Sequence, residues 1–253
     1  RLPAKDVAFF LAMNFKPEGI KEFAKITGLE GLIAMGTAFL GFSLDDFVKA
    51  NKGDILFVVS DILKDSTGNK NASVLFSASV GDKASFDKLI TAGKKMGKDG
   101  MSALGSPISF NSSDKYFAIG NKKENIDQFI MKDGSSKFDF YDKIASSPIG
   151  GYINLQYIIT SFKEDAAKDS LATIAMNASL KMWDNVIISG GSFNGGGITQ
   201  HFEVNLIDKT TNSLKQLNNY IGAMGNIAQQ KKKQNHFAWD NDLPVTDTVK
   251  PVQ

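Results

Sequence analysis

The residues best able to do chemistry in this chain sit at spacings that enzymes use. Ser85 and Lys88 stand three apart in Ser85-Phe86-Asp87-Lys88, a separation that can bring a lysine amine beside a serine hydroxyl on one helix. The penicillin-recognising arrangement also needs Ser-Asp-Asn and Lys-Thr-Gly, and Lys-Thr-Gly occurs nowhere in the sequence. Ser112 and Lys115 repeat the spacing, so the pattern arises by chance in a chain rich in both residues. Serine in a first helical turn is the simpler reading. The segment Gly190 to Gly197 (GGSFNGGG) has the glycine density of a phosphate-cradling loop. Such a loop needs Lys-Ser/Thr after its last glycine and then a helix. Here Ile198-Thr199-Gln200 follows in a strand pattern, so the glycines are read as the turn of a hairpin.

The remaining ionisable candidates are equally plain. Asp45-Asp46 follows Ser43 in a helix-opening capping box, where negative charge suits the helix dipole. Asp240 and Asp242 stand in a polar C-terminal stretch. Neither pair has the apolar surroundings that raise a carboxylate pKa for acid–base work. The two histidines, His201 and His236, are far apart, and a zinc site built on them would need carboxylates for most of its ligands. There is no cysteine, which excludes disulfides, thiolate metal sites and cysteine nucleophiles. No catalytic, cofactor-binding or metal residue is assigned. Lys231-Lys232-Lys233 lacks aromatic interleaving and reads as a solvated helix end, and the nearby Phe237 and Trp239 are contact residues for the body or for a partner.

The elements that would position these residues form an α+β pattern. With 253 residues, 42% hydrophobic and 22% charged, the chain falls in the globular range. The balance of 29 basic and 27 acidic residues offers no overall field for nucleic acid or an anionic membrane. No run of about 20 apolar residues exists to span a bilayer; Leu32 to Phe42 is the nearest and reads as a buried helix. Arg1-Leu2-Pro3 leads straight into a strand-like run without signal-peptide regions, as expected of a piece of a longer precursor.

Strands are expected at 7–14, 54–60 and 72–80, with Val74, Phe76, Ala78 and Val80 on one face of the third and serines on a wet one. A helix carrying Phe86, Leu89 and Ile90 follows, then a hairpin through Ile108–Phe110 and Tyr116–Ile119 and a helix over Asn125–Met131. Further strands are expected at 151–156, 185–189 and 199–207. Ser161-Phe162-Lys163-Glu164 reads as a capping box opening a long helix. A last helix presents Leu214, Leu217, Ile221 and Met224 at core spacing. The two halves rhyme: Ala12-Met13-Asn14-Phe15 answers Tyr152-Ile153-Asn154-Leu155, Gly53-Asp54-Ile55-Leu56 answers Asp184-Asn185-Val186-Ile187, and Val80-Gly81-Asp82-Lys83 answers Leu206-Ile207-Asp208-Lys209. The expected organisation is two tandem β-α-β-β-α modules near the split βαβ (ferredoxin-like) plan, with mainly antiparallel sheets. The first spans 1–147 with an extra hairpin, the second 148–230, and 231–253 forms a polar, mobile tail.

These modules, the Gly53-Asp54-Ile55-Leu56 strand start and the strand ends at Asn14 and Asn154 resemble the C-terminal half of Bacteroidetes-type predicted lipoproteins, a family of unknown function catalogued as domain of unknown function 4836. The resemblance implies a lipidated cysteine upstream and a place on the cell-envelope side of a bacterial membrane, periplasmic or surface. It carries no catalytic motif. The expectation is a non-enzymatic, lipoprotein-derived binding or structural module with a protein or glycan partner, no nucleic-acid partner and membrane attachment only through an upstream lipid. The alternative is a hydrolase-type enzyme whose site assembles only in three dimensions.

Overall fold

The structure, a computed structural model, describes residues 2–64, 68–97, 108–131 and 138–241, with the backbone alone for residue 40 and for 93–97 and 235–241. The continuous apolar run VAFFLAMN becomes strand β1 (Val7–Asn14). Three helices follow: α1 (Gly19–Ile26), α2 (Glu30–Leu40) and α3 (Leu44–Ala50). The last residue of α3 leads directly into β2 (Asn51–Lys64), which is followed by β3 (Lys70–Val80) and α4 (Lys83–Gly97). Next come the hairpin β4 (Ser109–Ser112) and β5 (Tyr116–Gly120), then α5 (Lys123–Met131) and α6 (Tyr141–Ile144). The second half holds β6 (Ile149–Asn154), α7 (Leu155–Ser161), α8 (Lys163–Ala166) and α9 (Ser170–Met182). Strands β7 (Trp183–Asn194) and β8 (Gly197–Leu206) and helix α10 (Ser213–Asn241) complete it.

Among the described residues, all eight strands join one sheet in the order β4-β5-β3-β2-β1-β6-β7-β8. The fold is therefore α+β with an antiparallel sheet. Strands β1 and β6 lie side by side, Phe9 opposite Ile153 and Met13 opposite Ile149, so the sheet passes without a break through the point expected to divide the modules, 147/148. By compactness the chain divides differently. One unit is Arg1–Ile158 with Asn185–Asn205, and the other is Ile159–Asp184 with Leu206–Gln253.

The first unit's main core gathers Leu2, Val7, Phe10, Val58, Phe140, Ile144 and Ile187. Its aromatic centre stacks Phe140 on Tyr152 at 4.2 Å, with Phe10 tilted 5.2 Å from Phe140. A second cluster places Ile126 and Phe129 of α5 against Leu75 and Ala118, and a third joins Ala50, Val80 and Phe86. In the second unit, Trp183 meets Tyr220 edge-on at 5.3 Å, and the Tyr220 hydroxyl lies 2.9 Å from Ser179 Oγ.

The structure corrects five sequence expectations. On β3 the buried face carries Ser73, Leu75, Ser77 and Ser79, not the Val74–Phe76–Ala78 row. Each serine hydroxyl is satisfied there: Ser77 Oγ donates to Phe117 O (2.7 Å), Ser79 Oγ to Asp54 Oδ2 (3.2 Å), and Asn125 Nδ2 donates to Ser73 Oγ (2.6 Å). Satisfied hydroxyls are cheap to bury. Helix α2, expected in the core, is largely exposed. The last helix is exposed too: Leu214, Leu217 and Ile221 are 73%, 37% and 59% accessible. That helix continues to Asn241, through the three lysines, rather than stopping at 230; residues 242–253 of the expected tail, Asp242 included, lie outside the described residues. The long helix does not open at Ser161. Ser161 ends α7, and the long helix α9 opens at Asp169, whose carboxylate accepts from the N–H groups of Leu171 (2.7 Å) and Ala172 (3.2 Å).

Candidate functional site

The ionisable residues singled out from sequence are held by structural bonds. Lys88 does not reach Ser85. Its amine donates to Asp46 Oδ1 at 2.7 Å, while the Ser85 N–H donates to Asp82 Oδ1 at 2.8 Å as a helix cap. The Ser43–Asp46 capping box forms as the sequence indicates, Asp46 N donating to Ser43 Oγ (3.0 Å) and Ser43 N to Asp46 Oδ2 (2.9 Å). The Lys88 ammonium, helped by these Ser43 bonds, pulls the Asp46 carboxyl down to about 2. Asp45 is lowered by its pairing with Lys21, Asp127 by Lys123 and Asn111, and Asp82 by bonds from Ser85. Asp208 is also held low, by bonds from Thr211 and Thr210. A general acid needs a carboxyl shifted the other way. These carboxylates are built to stay charged.

The glycine segment is a hairpin. Gly195 and Gly196 form the two-residue connection between β7 and β8 with φ +59° and +89°, the positive values that a mirror-image hairpin turn demands. His201 lies exposed on β8 on the face opposite Phe202. Among the described residues, no group of three or more His, Asp or Glu side chains is placed to hold a metal ion. The side chains of His236, Phe237, Trp239 and Asp240 lie outside the described residues.

Two polar cross-strand rows were not foreseen. Asn14 Nδ2 donates to Asp54 Oδ1 where β1 pairs with β2, and Asp54 N donates to Ser79 Oγ (3.3 Å), linking three strands. In the other half, Asn205 Nδ2 donates to Asn185 Oδ1 (3.1 Å), and Asn185 pairs with Asn154. These bonds fix strand register, which is structural work.

The feature that stands out is apolar. Helices α1 and α2 expose Phe23, Ile26, Leu29, Leu32, Met35 and Phe39, of which Ile26 is 82% and Phe39 91% accessible. Their sequence explains the helices: Thr27 folds its hydroxyl back onto Phe23 O (2.7 Å), and Gly28 and Gly41, at φ +69° and +86°, end α1 and α2 in left-handed caps. Those two tight reversals strap α2 between α1 and α3, away from the strands, and this is why a helix apolar nearly all round is not core. Leu29, Leu32, Met35 and Phe39 recur three and four apart and so share one stripe. With Phe23 and Ile26 they leave six large apolar side chains exposed over two consecutive helices. No single helix among the described residues is long and apolar enough to cross a membrane.

Comparison with known proteins finds no matching family model, no matching curated protein and no matching solved structure.

Proposed function

We propose that the chain is a non-enzymatic binding or structural module of the bacterial cell envelope, derived from a lipid-anchored precursor and recognising a protein or glycan. The observation that carries the binding role is the exposure of six large apolar side chains on α1 and α2, the kind of surface that marks an interaction site. Carboxylates bonded so as to remain ionised give no support to the alternative hydrolase. The envelope location rests on the resemblance to the predicted lipoproteins of unknown function, domain of unknown function 4836. An upstream coding sequence with a lipoprotein signal and its cysteine is the expected finding; a different upstream domain would remove the location.

The scaffold is read as a duplication of the β-α-β-β-α order, 1–147 and 148–230. Support comes from strand order, since β1-β2-β3 and β6-β7-β8 run outward from the β1/β6 pair as mirror sequences. Asn14, Asp54 and Ser79 hold the positions of Asn154, Asn185 and Asn205, offsets of 140, 131 and 126 residues. In both halves a helix runs into the second strand without a loop, at Ala50–Asn51 and Met182–Trp183. The strands flanking the helices pair directly and antiparallel, so each half departs from a split βαβ plan, whose flanking strands run parallel.

The test uses a double variant, Ile26→Asp with Phe39→Asp, on side chains that are exposed and so tolerate charge. Envelope extracts are passed over wild-type and variant protein at matched concentration, and a hydrolase substrate panel is run on both. Specific capture of one envelope protein or glycan by the wild type, lost in a variant with unchanged melting temperature, is the expected result. Turnover of any ester, amide or glycoside above background, abolished by a single carboxylate or serine substitution, would establish the enzyme instead.

A further inference from the structure

The two edges of the sheet are unequal. One is β4, four residues long; the other is β8, ten residues long and exposed along most of its length. Among the described residues no strand pairs with the outer side of β8. Protein edges are usually blunted by proline, lysine, a bulge or brevity, because a bare row of N–H and C=O groups recruits another strand. Between Gly197 and Leu206 there is no proline, lysine or arginine. One face of the strand instead bears Ile198, Phe202 and Val204, exposed by 67%, 68% and 52%.

We propose that β8 is a self-association edge, pairing antiparallel with β8 of a second copy about a twofold axis through Phe202. This surface is separate from the α1–α2 stripe and does not depend on the function proposed above. The register follows from complementarity in the sequence GITQHFEVNL. In an antiparallel pair related by a twofold axis normal to the sheet, residues directly opposite lie on the same face. An axis at Phe202 sets the two phenyl rings against each other, Ile198 against Leu206, and Gln200 against Val204. On the other face it sets His201 against Glu203 of the partner subunit, twice over, an imidazole facing a carboxylate each time. Moving the axis to Glu203 would oppose two carboxylates, and moving it to His201 would oppose two imidazoles. Of these three axes, only the one at Phe202 both stacks the rings and sets His201 against Glu203. Glu203 already bonds Lys143 (3.2 Å) and Asn205 (2.8 Å) within its own chain, which holds its carboxylate on the His201 side of the strand.

The absence of cysteine makes the register directly testable. Phe202→Cys is expected to form a symmetric disulfide dimer under mild oxidation, since directly opposed residues bring Cβ atoms to about 4.5–5.5 Å. Thr199→Cys and Asn205→Cys are expected to cross-link when mixed and much less when each is alone. Sedimentation of the unmodified protein is expected to show a monomer–dimer equilibrium that Phe202→Glu shifts to monomer. Should Phe202→Glu fail to fold, the cross-linking pair carries the test. A monomer at every attainable concentration, a dimer indifferent to Phe202→Glu, or equal cross-linking by mixed and single cysteines would overturn the proposal.

Discussion

Gly53 is where one added methyl group should do the most damage for its size. Its backbone has φ +92°, and a Cβ built there would lie 1.7 Å from the carbonyl oxygen of Phe15. That approach is part of the β1–β2 pairing: the Phe15 N–H donates to Gly53 O at 2.9 Å, one residue from the Asn14–Asp54 bond. Gly53→Ala therefore carries two costs. The left-handed backbone strains an L-residue by about 1–2 kcal/mol. The clash is with backbone rather than a flexible side chain, so the strands must separate, at about 1–3 kcal/mol on the scale of overpacked cores. The expected total is about 2–5 kcal/mol. Gly195→Ala is the control, since it has φ +59° and nothing within 4 Å of its Cβ. It should show the strain alone, about 1–2 kcal/mol. Both are measured by urea unfolding at equal slope, so that midpoints compare directly. If Gly53→Ala costs no more than Gly195→Ala, the close approach at Phe15 is not what holds this end of the sheet.

Ile126, 1% exposed between Leu75, Ala118 and Phe129, should lose about 2–5 kcal/mol on truncation to alanine. Leu217→Ala, on a side chain 37% exposed, should lose clearly less in the same unfolding assay, and the reverse ranking would contradict the burial described. Asp46 carries the pH prediction. Its folded pKa lies below its unfolded value, so the carboxylate stabilises the fold fully above about pH 4, and that contribution fades as pH falls from 3.8 towards about 2. An NMR titration of the Asp46 carboxyl should show the low midpoint, and Lys88→Met should raise it; an unchanged midpoint would show that Lys88 is not its main cause.

The sequence by itself determined the local structure wherever short-range physics decides. The run Val7 to Asn14 could only be a strand, Ser43 with Asp46 could only open a helix, and Gly195-Gly196 could only turn a chain between strands, because apolar runs, caps and positive φ act within a few residues. The second-half strands were legible in place but short at their ends: β7 begins at Trp183 and runs to Asn194, where apolar pattern alone marks 185–189. Facing was another matter. Alternation on β3 shows two faces and cannot say which is covered; long-range bonds decided that, from Asn125 of α5 to Ser73, from Ser77 to Phe117 O on β5 and from Ser79 to Asp54 on β2, none of which a local pattern encodes. The same limit hid the exposed apolar stripe of α1 and α2. An apolar helix reads as core from composition, and only the reversals at Gly28 and Gly41, which strap α2 to α1 and α3, turn it outward. The β1–β6 pairing that merges both halves into one sheet was equally invisible, because strand partnership depends on residues some 140 positions apart meeting, such as Phe9 and Ile153. Hydrophobicity fixes which residues seek cover; only the folded chain decides which of them find it.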